Sequence, residues 1–165
     1  MFIPEHAKEY GKPNLGKNVK TVGPVNWGSE PYLISVGDYT TISFDCAFVT
    51  HDAATRVIRN LPRQDKETVI YKPINVGKNC FIGCRCVILP GVTIGDNVII
   101  GAGSIVNKDI PSNTVAAGTP CRVICSLEEY IEKHKDEFLY IVSLPYQQKK
   151  EYLLKYFEDN NIKNY

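Results

Sequence analysis

Aliphatic residues recur every six positions through the middle of the chain. This series consists of Val76, Ile82, Ile88, Ile94, Ile100 and Val106. Four positions after each of them comes a residue that is small or branched: Cys80, Cys86, Val92, Val98, Ser104 and Ile110. The same phase appears upstream at Val36, Ile42 and Phe48. A helix repeats its buried positions every 3.6 residues and a half-buried strand every two, so a period of six indicates neither.

A six-residue period predicts a short strand and a turn in each unit, with three units forming one coil. The aliphatic residues then stack from coil to coil as a ladder, and each coil pairs with those above and below it. Because no coil buries its apolar face alone, the units must run consecutively. Glycine follows most of the ladder residues, at Gly37, Gly77, Gly83, Gly95 and Gly101. We expect these glycines to make tight turns with positive φ.

The phase breaks once, and the pattern changes again near the end of the chain. Phe48 and Val76 do not differ by a multiple of six, so the pattern predicts an inserted loop over 52–73, which carries Arg56, Arg59, Arg63, Lys66 and Lys72. Ser126 and Glu129 have the spacing of a capping box and predict a helix start, and a second helical pattern follows Pro145. We therefore predict a lead-in over 1–14, a coiled β domain over 15–125 and a helical extension over 126–165.

Composition narrows the classes of function. The chain has 165 residues, of which 44% are hydrophobic and 22% charged, and its net charge is +1. These values are typical of a globular domain and give no overall field toward nucleic acid. No run approaches the ~18 apolar residues of a membrane-spanning helix, and the first residues lack a signal-peptide pattern. We expect a cytoplasmic protein without membrane insertion.

Six cysteines raise the question of a metal or disulfide site. They are Cys46, Cys80, Cys84, Cys86, Cys121 and Cys125. No second C-x2-C pair and no nearby histidine completes a tetrahedral ligand set, so no metal is expected. We predict that the cysteines are reduced and serve as small apolar packing residues.

His51 is the candidate catalytic residue. It ends the last regular repeat before the inserted loop, within Thr50-His51-Asp52. A side chain on the rim of a rigid coil is well placed, and an imidazole with an ordinary pKa of ~6.5 accepts a proton near neutral pH. The alternative is a turn histidine that only hydrogen-bonds the loop.

Three features together resemble a known family. They are the six-residue repeats, Thr50-His51-Asp52 before a basic loop, and the segment IPSNTVAAGTPCRVI over 110–124. The chain resembles the hexapeptide-repeat acetyltransferases over about 15–125, especially the galactoside and maltose O-acetyltransferases. The phrase GSEPYL over 28–33 is similar to the acetyltransferases of bacterial polysaccharide biosynthesis.

The resemblance implies a fold and a reaction. The fold is an all-β main domain, a left-handed parallel β-helix of hexapeptide repeats with an inserted loop and C-terminal α-helices. The protein would be a homotrimer with its active sites between subunits. Acetyl-CoA would be the donor and a sugar hydroxyl the acceptor, with His51 taking the proton during direct attack and no acyl-enzyme forming. A backbone N–H near Cys84 would stabilise the tetrahedral intermediate.

The family's CoA contacts correspond to six positions in this chain: Phe81, Cys84, Ala102, Asn107, Lys108 and Arg122. We expect Lys108 and Arg122 to face the phosphates of CoA. For the acceptor, polar and aromatic residues near His51 are the candidates: Trp27, Glu30, Tyr32 and Asp52. The basic loop suggests an acceptor that carries a phosphate.

Other functions remain open at this point. The same fold and donor would suit N-acetylation of an amino sugar or of a xenobiotic. A catalytically inactive structural β-helix would keep the ladder without needing His51. A zinc hydratase of the γ-carbonic-anhydrase type needs three imidazoles, and His51 is the only histidine in the predicted coils.

Overall fold

The protein is described by a computed structural model over residues 11–160. The chain divides into two compact units, with the boundary after Ile131. Residues 1–10 of the predicted lead-in and residues 161–165 of the predicted helical extension lie outside the described range, and the predicted domain boundaries stay predictions. The strands in chain order are β1 (Asn14–Leu15), β2 (Lys20–Thr21), β3 (Val25–Asn26), β4 (Ile34–Val36), β5 (Thr41–Ile42), β6 (Cys46–Phe48), β7 (His51–Asp52), β8 (Ile70–Tyr71), β9 (Ile74–Val76), β10 (Phe81–Ile82), β11 (Val87–Ile88), β12 (Thr93–Ile94), β13 (Ile99–Ile100), β14 (Ile105–Val106), β15 (Thr114–Gly118) and β16 (Cys121–Ser126).

Three sheets build the stacked coils of the first unit. Their strand orders are β1-β4-β9-β12, β2-β5-β10-β13-β15-β16 and β3-β6-β11-β14. Neighbouring strands within each sheet are parallel, except that β16 returns antiparallel to β15. Consecutive strands therefore visit the three sheets in turn, and every third strand lies beside the one from the preceding coil. This confirms the prediction of an all-β main domain made of stacked six-residue units.

The inserted loop does not interrupt the stacking. The strands before and after it pair directly, with Ile42 opposite Ile82 and Phe48 opposite Ile88. Within the loop, β7 and β8 pair antiparallel and a short helix, α1 (Thr55–Arg59), lies between them. The loop is therefore a strand pair that projects from a continuous stack.

The ladder residues form the core. Ile42, Ile82, Ile88 and Ile100 have no exposed surface, and Phe48 is 1% exposed. The residues four positions on are buried as well, among them Cys46, Cys80 and Cys86, and Cys121 at the start of β16 is also buried; all four are free thiols. Burial raises the pKa of the Cys80 and Cys121 thiols, which favours the uncharged form. The prediction that these cysteines are packing residues agrees with this arrangement.

The glycines after the ladder residues have a different role from the one predicted. The positive φ angles occur two positions later, for example at Asn79 (52°) and Arg85 (59°). Gly77 and Gly83 themselves lie against the next coil, where an added Cβ would approach backbone atoms to 2.5 Å. The prediction of positive φ at these glycines was wrong. Close approach of the stacked coils requires glycine there.

The described residues after Ser126 include two α-helices, as predicted. The hydroxyl of Ser126 accepts the N–H of Glu129 at 3.1 Å, and the Glu129 carboxylate accepts the N–H of Ser126 at 2.7 Å. This capping box starts α2 (Leu127–His134). In the second unit, α3 (Tyr146–Asp159) begins directly after Pro145.

Candidate active site

His51 lies where the stack ends and the inserted loop begins. The chain leaves the buried residue Phe48, passes the buried Thr50 and enters β7 at His51. The backbone of His51 pairs with Tyr71 on β8, so its position is fixed by a strand pair as well as by the coil. The side chain of His51 is 34% exposed. The imidazole is thus held on a rigid rim and remains accessible to a ligand.

Glu30 holds the imidazole from the preceding corner. Its Oε2 accepts hydrogen bonds from His51 Nδ1 at 2.9 Å and from Thr50 Oγ1 at 2.8 Å. Burial raises the pKa of the Glu30 carboxyl, but the hydrogen bonds from His51 and Thr50 outweigh that effect and hold it below its ordinary value. Because a carboxylate only accepts hydrogen bonds, Nδ1 carries the proton and Nε2 is the nitrogen left to accept one.

A groove of about 530 Å³ opens beside His51. It is lined by Val49, His51, Asp52, Ala53, Ala54, Ile70, Lys72, Leu89, Pro90 and Asn107. The ring of Tyr71 packs edge-on against the imidazole, with 5.7 Å between ring centroids. The projecting strand pair forms one side of the groove, and a corner of the coils forms the other.

The structure separates the predicted acceptor residues. Asp52 lines the groove, although its Oδ1 accepts the N–H of Ala54 at 2.9 Å. Glu30 is hydrogen-bonded to His51 and does not line the groove, so its carboxylate orients the imidazole. Tyr32 is 62% exposed but does not line the groove either. The prediction that Trp27 contacts the acceptor is wrong. Its side chain is 3% exposed and its ring stacks on Phe48 with 4.9 Å between ring centroids, so it belongs to the core.

The predicted CoA residues form two groups on different corners of the coils. In the first group, Cys84 and Ala102 are stacked, because Gly83 approaches the backbone of Ala102 and the N–H of Gly103 binds Cys84 O at 2.8 Å. Phe81, on the strand that leads into this corner, is 44% exposed.

The second group lies at the corner that borders the groove. The guanidinium of Arg122 donates to Asn107 Oδ1 at 3.1 Å and to Cys121 O at 2.7 Å. Asn107 also lines the groove, and the exposed Lys108 follows it. Two cationic side chains therefore lie near one end of the groove that holds His51.

Residues 11–160 give less support to a metal site, a cysteine nucleophile or a membrane-spanning helix. No group of three or more histidine, cysteine or acidic side chains in that range could hold a metal ion. The thiol of Cys84 makes no side-chain hydrogen bond there to a base that would activate it. Among the described helices, none has both the length and the hydropathy required to cross a bilayer.

Sequence reasoning missed the roles of Glu30, Tyr71 and Lys72. Glu30 had been assigned to the acceptor, and Tyr71 had not been singled out. The available signal was positional: Glu30 follows β3 and His51 follows β6, and these strands are neighbours in one sheet. Side chains at equivalent corners of successive coils lie next to each other, so the pairing was accessible from the register once the coil length was known.

The sequence of this chain is similar to those of known transferases. The family model "Bacterial transferase hexapeptide (six repeats)" matches residues 73–108. Protein CapG of Staphylococcus aureus is 43% identical over 134 residues, covering 81% of this chain and 76% of CapG. Galactoside O-acetyltransferase of Escherichia coli K12 is 45% identical over 105 residues, covering 64% of this chain and 49% of that protein. This chain therefore spans about half of the latter.

A solved structure shares the fold. The maltose O-acetyltransferase from Clostridium difficile 630 superposes with a TM-score of 0.56 and 29% identity, covering 76% of this chain and 78% of that one. These matches confirm the resemblance noted from the repeats and from the segment over 110–124.

Proposed function

Because this chain belongs to the hexapeptide-repeat acetyltransferase family, we propose that it transfers the acetyl group of acetyl-CoA to a hydroxyl of a saccharide. The relatives named as O-acetyltransferases support oxygen as the attacked position. The segment GSEPYL over 28–33, which resembles the acetyltransferases of bacterial polysaccharide biosynthesis, supports a role in cell-surface polysaccharide synthesis. The observation that carries the proposal is the hydrogen-bonded pair of His51 and Glu30 beside an open groove.

We propose that His51 acts as the general base. A sugar hydroxyl is a poor nucleophile until its proton can leave. Nε2 accepts that proton as the acceptor oxygen bonds to the acetyl carbonyl carbon. The tetrahedral intermediate collapses, the carbon–sulfur bond breaks, and the protonated imidazole returns the proton to the CoA sulfur. Glu30 supports this cycle because its carboxylate orients the ring through Nδ1 and stabilises the charged imidazolium.

The donor side of the proposal uses the two corner groups. Lys108 and Arg122 would face the phosphates of CoA, while Phe81, Cys84, Ala102 and Asn107 would line its pantetheine arm. The backbone N–H of Cys84 makes no hydrogen bond to residues 11–160, so it is available to an oxyanion. A donor of this kind also supports a cytoplasmic location for the reaction.

We propose a left-handed sense for the coils and a homotrimeric assembly. The handedness rests on the family. The assembly is supported by geometry as well, because His51 and Cys84 lie at different corners of one chain: His51 follows β6, whereas Cys84 follows β10. A neighbouring copy that presents its Cys84 corner to the groove would bring the base and the oxyanion donor together.

The test is acetyl transfer by the purified protein. CoA release from acetyl-CoA is measured with a panel of neutral, acidic and amino sugars, and the products are identified by mass. His51→Ala is expected to lower kcat by about 10²–10⁴-fold, the usual contribution of a general base. The matched control is His134→Ala, which removes a histidine from α2. An unchanged rate in His51→Ala contradicts the mechanism, and products acetylated only on nitrogen contradict the proposed acceptor.

A further inference from the structure

Lys72 is the one cationic side chain among the residues that line the groove beside His51. Its N–H donates to Thr50 O at 2.9 Å, which ties its backbone to the residue before His51. Its aliphatic stem lies across Gly91, where an added Cβ would meet Lys72 Cδ at 2.8 Å. Gly91 has φ +84°, so a glycine both makes this turn and leaves room for the stem. The side chain is therefore placed by the fold.

The ammonium group of Lys72 has no anionic partner within residues 11–160. The other charged residue of the groove is Asp52, whose carboxylate is bound to the N–H of Ala54. A lysine held at the wall of a groove without a counter-ion is available to an anionic group of a ligand.

The remaining cations of the loop do not share this position. Lys66 donates to the carbonyl oxygens of Arg59 and Leu61 and so stabilises the loop itself. Arg56 and Arg63 are exposed, Arg59 is half-buried with no hydrogen-bond partner for its Nε within residues 11–160, and none of the three lines the groove. Of the cationic residues that the sequence places in the inserted loop, Lys72 is therefore the one that lines the groove beside His51.

We propose that Lys72 selects acceptor saccharides that carry a carboxylate or phosphate group near the acetylated hydroxyl. This inference rests on the proposed function, because it assigns the groove to the acceptor. The acceptor is favoured over CoA as the source of the anion because Lys72 directly follows β8, the strand that pairs with His51. Of the cations proposed for CoA, Lys108 follows the corner residue Asn107, and Arg122 on β16 donates to Asn107.

The test uses acceptor pairs that differ only in the group at C6, which is anionic in one member and a neutral hydroxymethyl group in the other. Methyl β-glucuronoside is compared with methyl β-glucoside, and glucose 6-phosphate with glucose, for wild type, Lys72→Met and Lys72→Arg. Lys78→Met is the matched control, since Lys78 is an exposed corner lysine outside the groove. We expect wild type to prefer the charged member of at least one pair by about tenfold in kcat/KM. Lys72→Met should abolish that ratio, and Lys72→Arg should retain it.

Binding of the same saccharides without acetyl-CoA is measured in parallel by calorimetry or ligand-observed NMR. If no saccharide is acetylated but the charged one still binds better and Lys72→Met removes the difference, the proposed function fails and the role of Lys72 stands. Equal binding of charged and neutral saccharides by wild type overturns the proposal. So does a Lys72→Met variant whose only change is a higher KM for acetyl-CoA, since the anion is then CoA.

Discussion

Replacing Glu30 by glutamine tests whether the carboxylate orients the imidazole of His51, the proposed general base. Glutamine keeps the length and shape of the side chain but removes the charge. A hydrogen bond to a charged group contributes about 1.5–3 kcal/mol and a neutral one about 0.5–1.5 kcal/mol. The bond from His51 Nδ1 is 2.9 Å long, and the Glu30 side chain is only 13% exposed, so solvent screens it weakly. The expected loss is about 1–1.5 kcal/mol.

That loss corresponds to a fall in kcat of about 5- to 10-fold if the bond strengthens as the imidazole becomes charged. The assay is steady-state CoA release, with kcat and the KM for acetyl-CoA determined separately. Because Glu30 does not line the groove, KM should change little. If Glu30 served only in folding, Glu30→Gln would lower the thermal midpoint of unfolding without lowering kcat selectively at an unchanged KM.

Thr50→Val is the matched control, because it removes the other hydrogen bond to the same Oε2 and leaves the bond from His51 in place. Its effect on kcat should be much smaller than that of Glu30→Gln. If Glu30→Gln retains the wild-type kcat, or if the two variants lose activity equally, the carboxylate does not position His51.

Three further predictions concern the imidazole, the donor and the stack. Tyr71→Ala should lower kcat several-fold, because an aromatic pair contributes about 0.5–1.5 kcal/mol, and Tyr71→Phe should recover most of the loss in the same assay. Lys108→Ala should raise the KM for acetyl-CoA about tenfold with little change in kcat, whereas Lys78→Ala should not, and equal values would exclude Lys108 from the donor site. Gly83→Ala should cost about 3 kcal/mol in denaturant unfolding, because its Cβ would overlap the backbone of the next coil. Gly103→Ala, which meets no atom within 4 Å, should cost only about 1 kcal/mol for its positive φ, and a reversed order would contradict this account.

The regular coils were predictable because each six-residue unit carries its own buried aliphatic residue. From Val76 to Val106, one aliphatic residue in six must face the axis, and the sequence repeats that requirement without interruption. The first coils were harder to interpret because they contain 21 residues instead of 18, as the pairing of Leu15 with Val36 shows. Trp27 occupies the ladder position next to Phe48 in that longer coil, which is why its burial was not foreseen.

The site was only partly predictable for a related reason. His51 was identified because it borders the break in phase, a feature visible along the chain. Its partner Glu30 lies 21 residues upstream and becomes its neighbour only through the stacking of coils. The groove, Tyr71 and Lys72 depend on how the inserted loop folds back, and no period in the sequence describes that path.

The direct pairing of the coils on either side of the insertion has a consequence for how such proteins diversify. Phe48 and Ile88 are paired on neighbouring strands although the inserted loop separates them in sequence. The stacking of the coils therefore does not depend on the length or composition of that loop. The segment after His51 can be exchanged for one of another length or charge, while the hydrogen bond from His51 to Glu30 still holds the imidazole from the coil side. Under the proposed function, acceptor preference then varies with this segment while the stack stays the same, and transplanting the segment onto another stack is a practical route to altered acceptors.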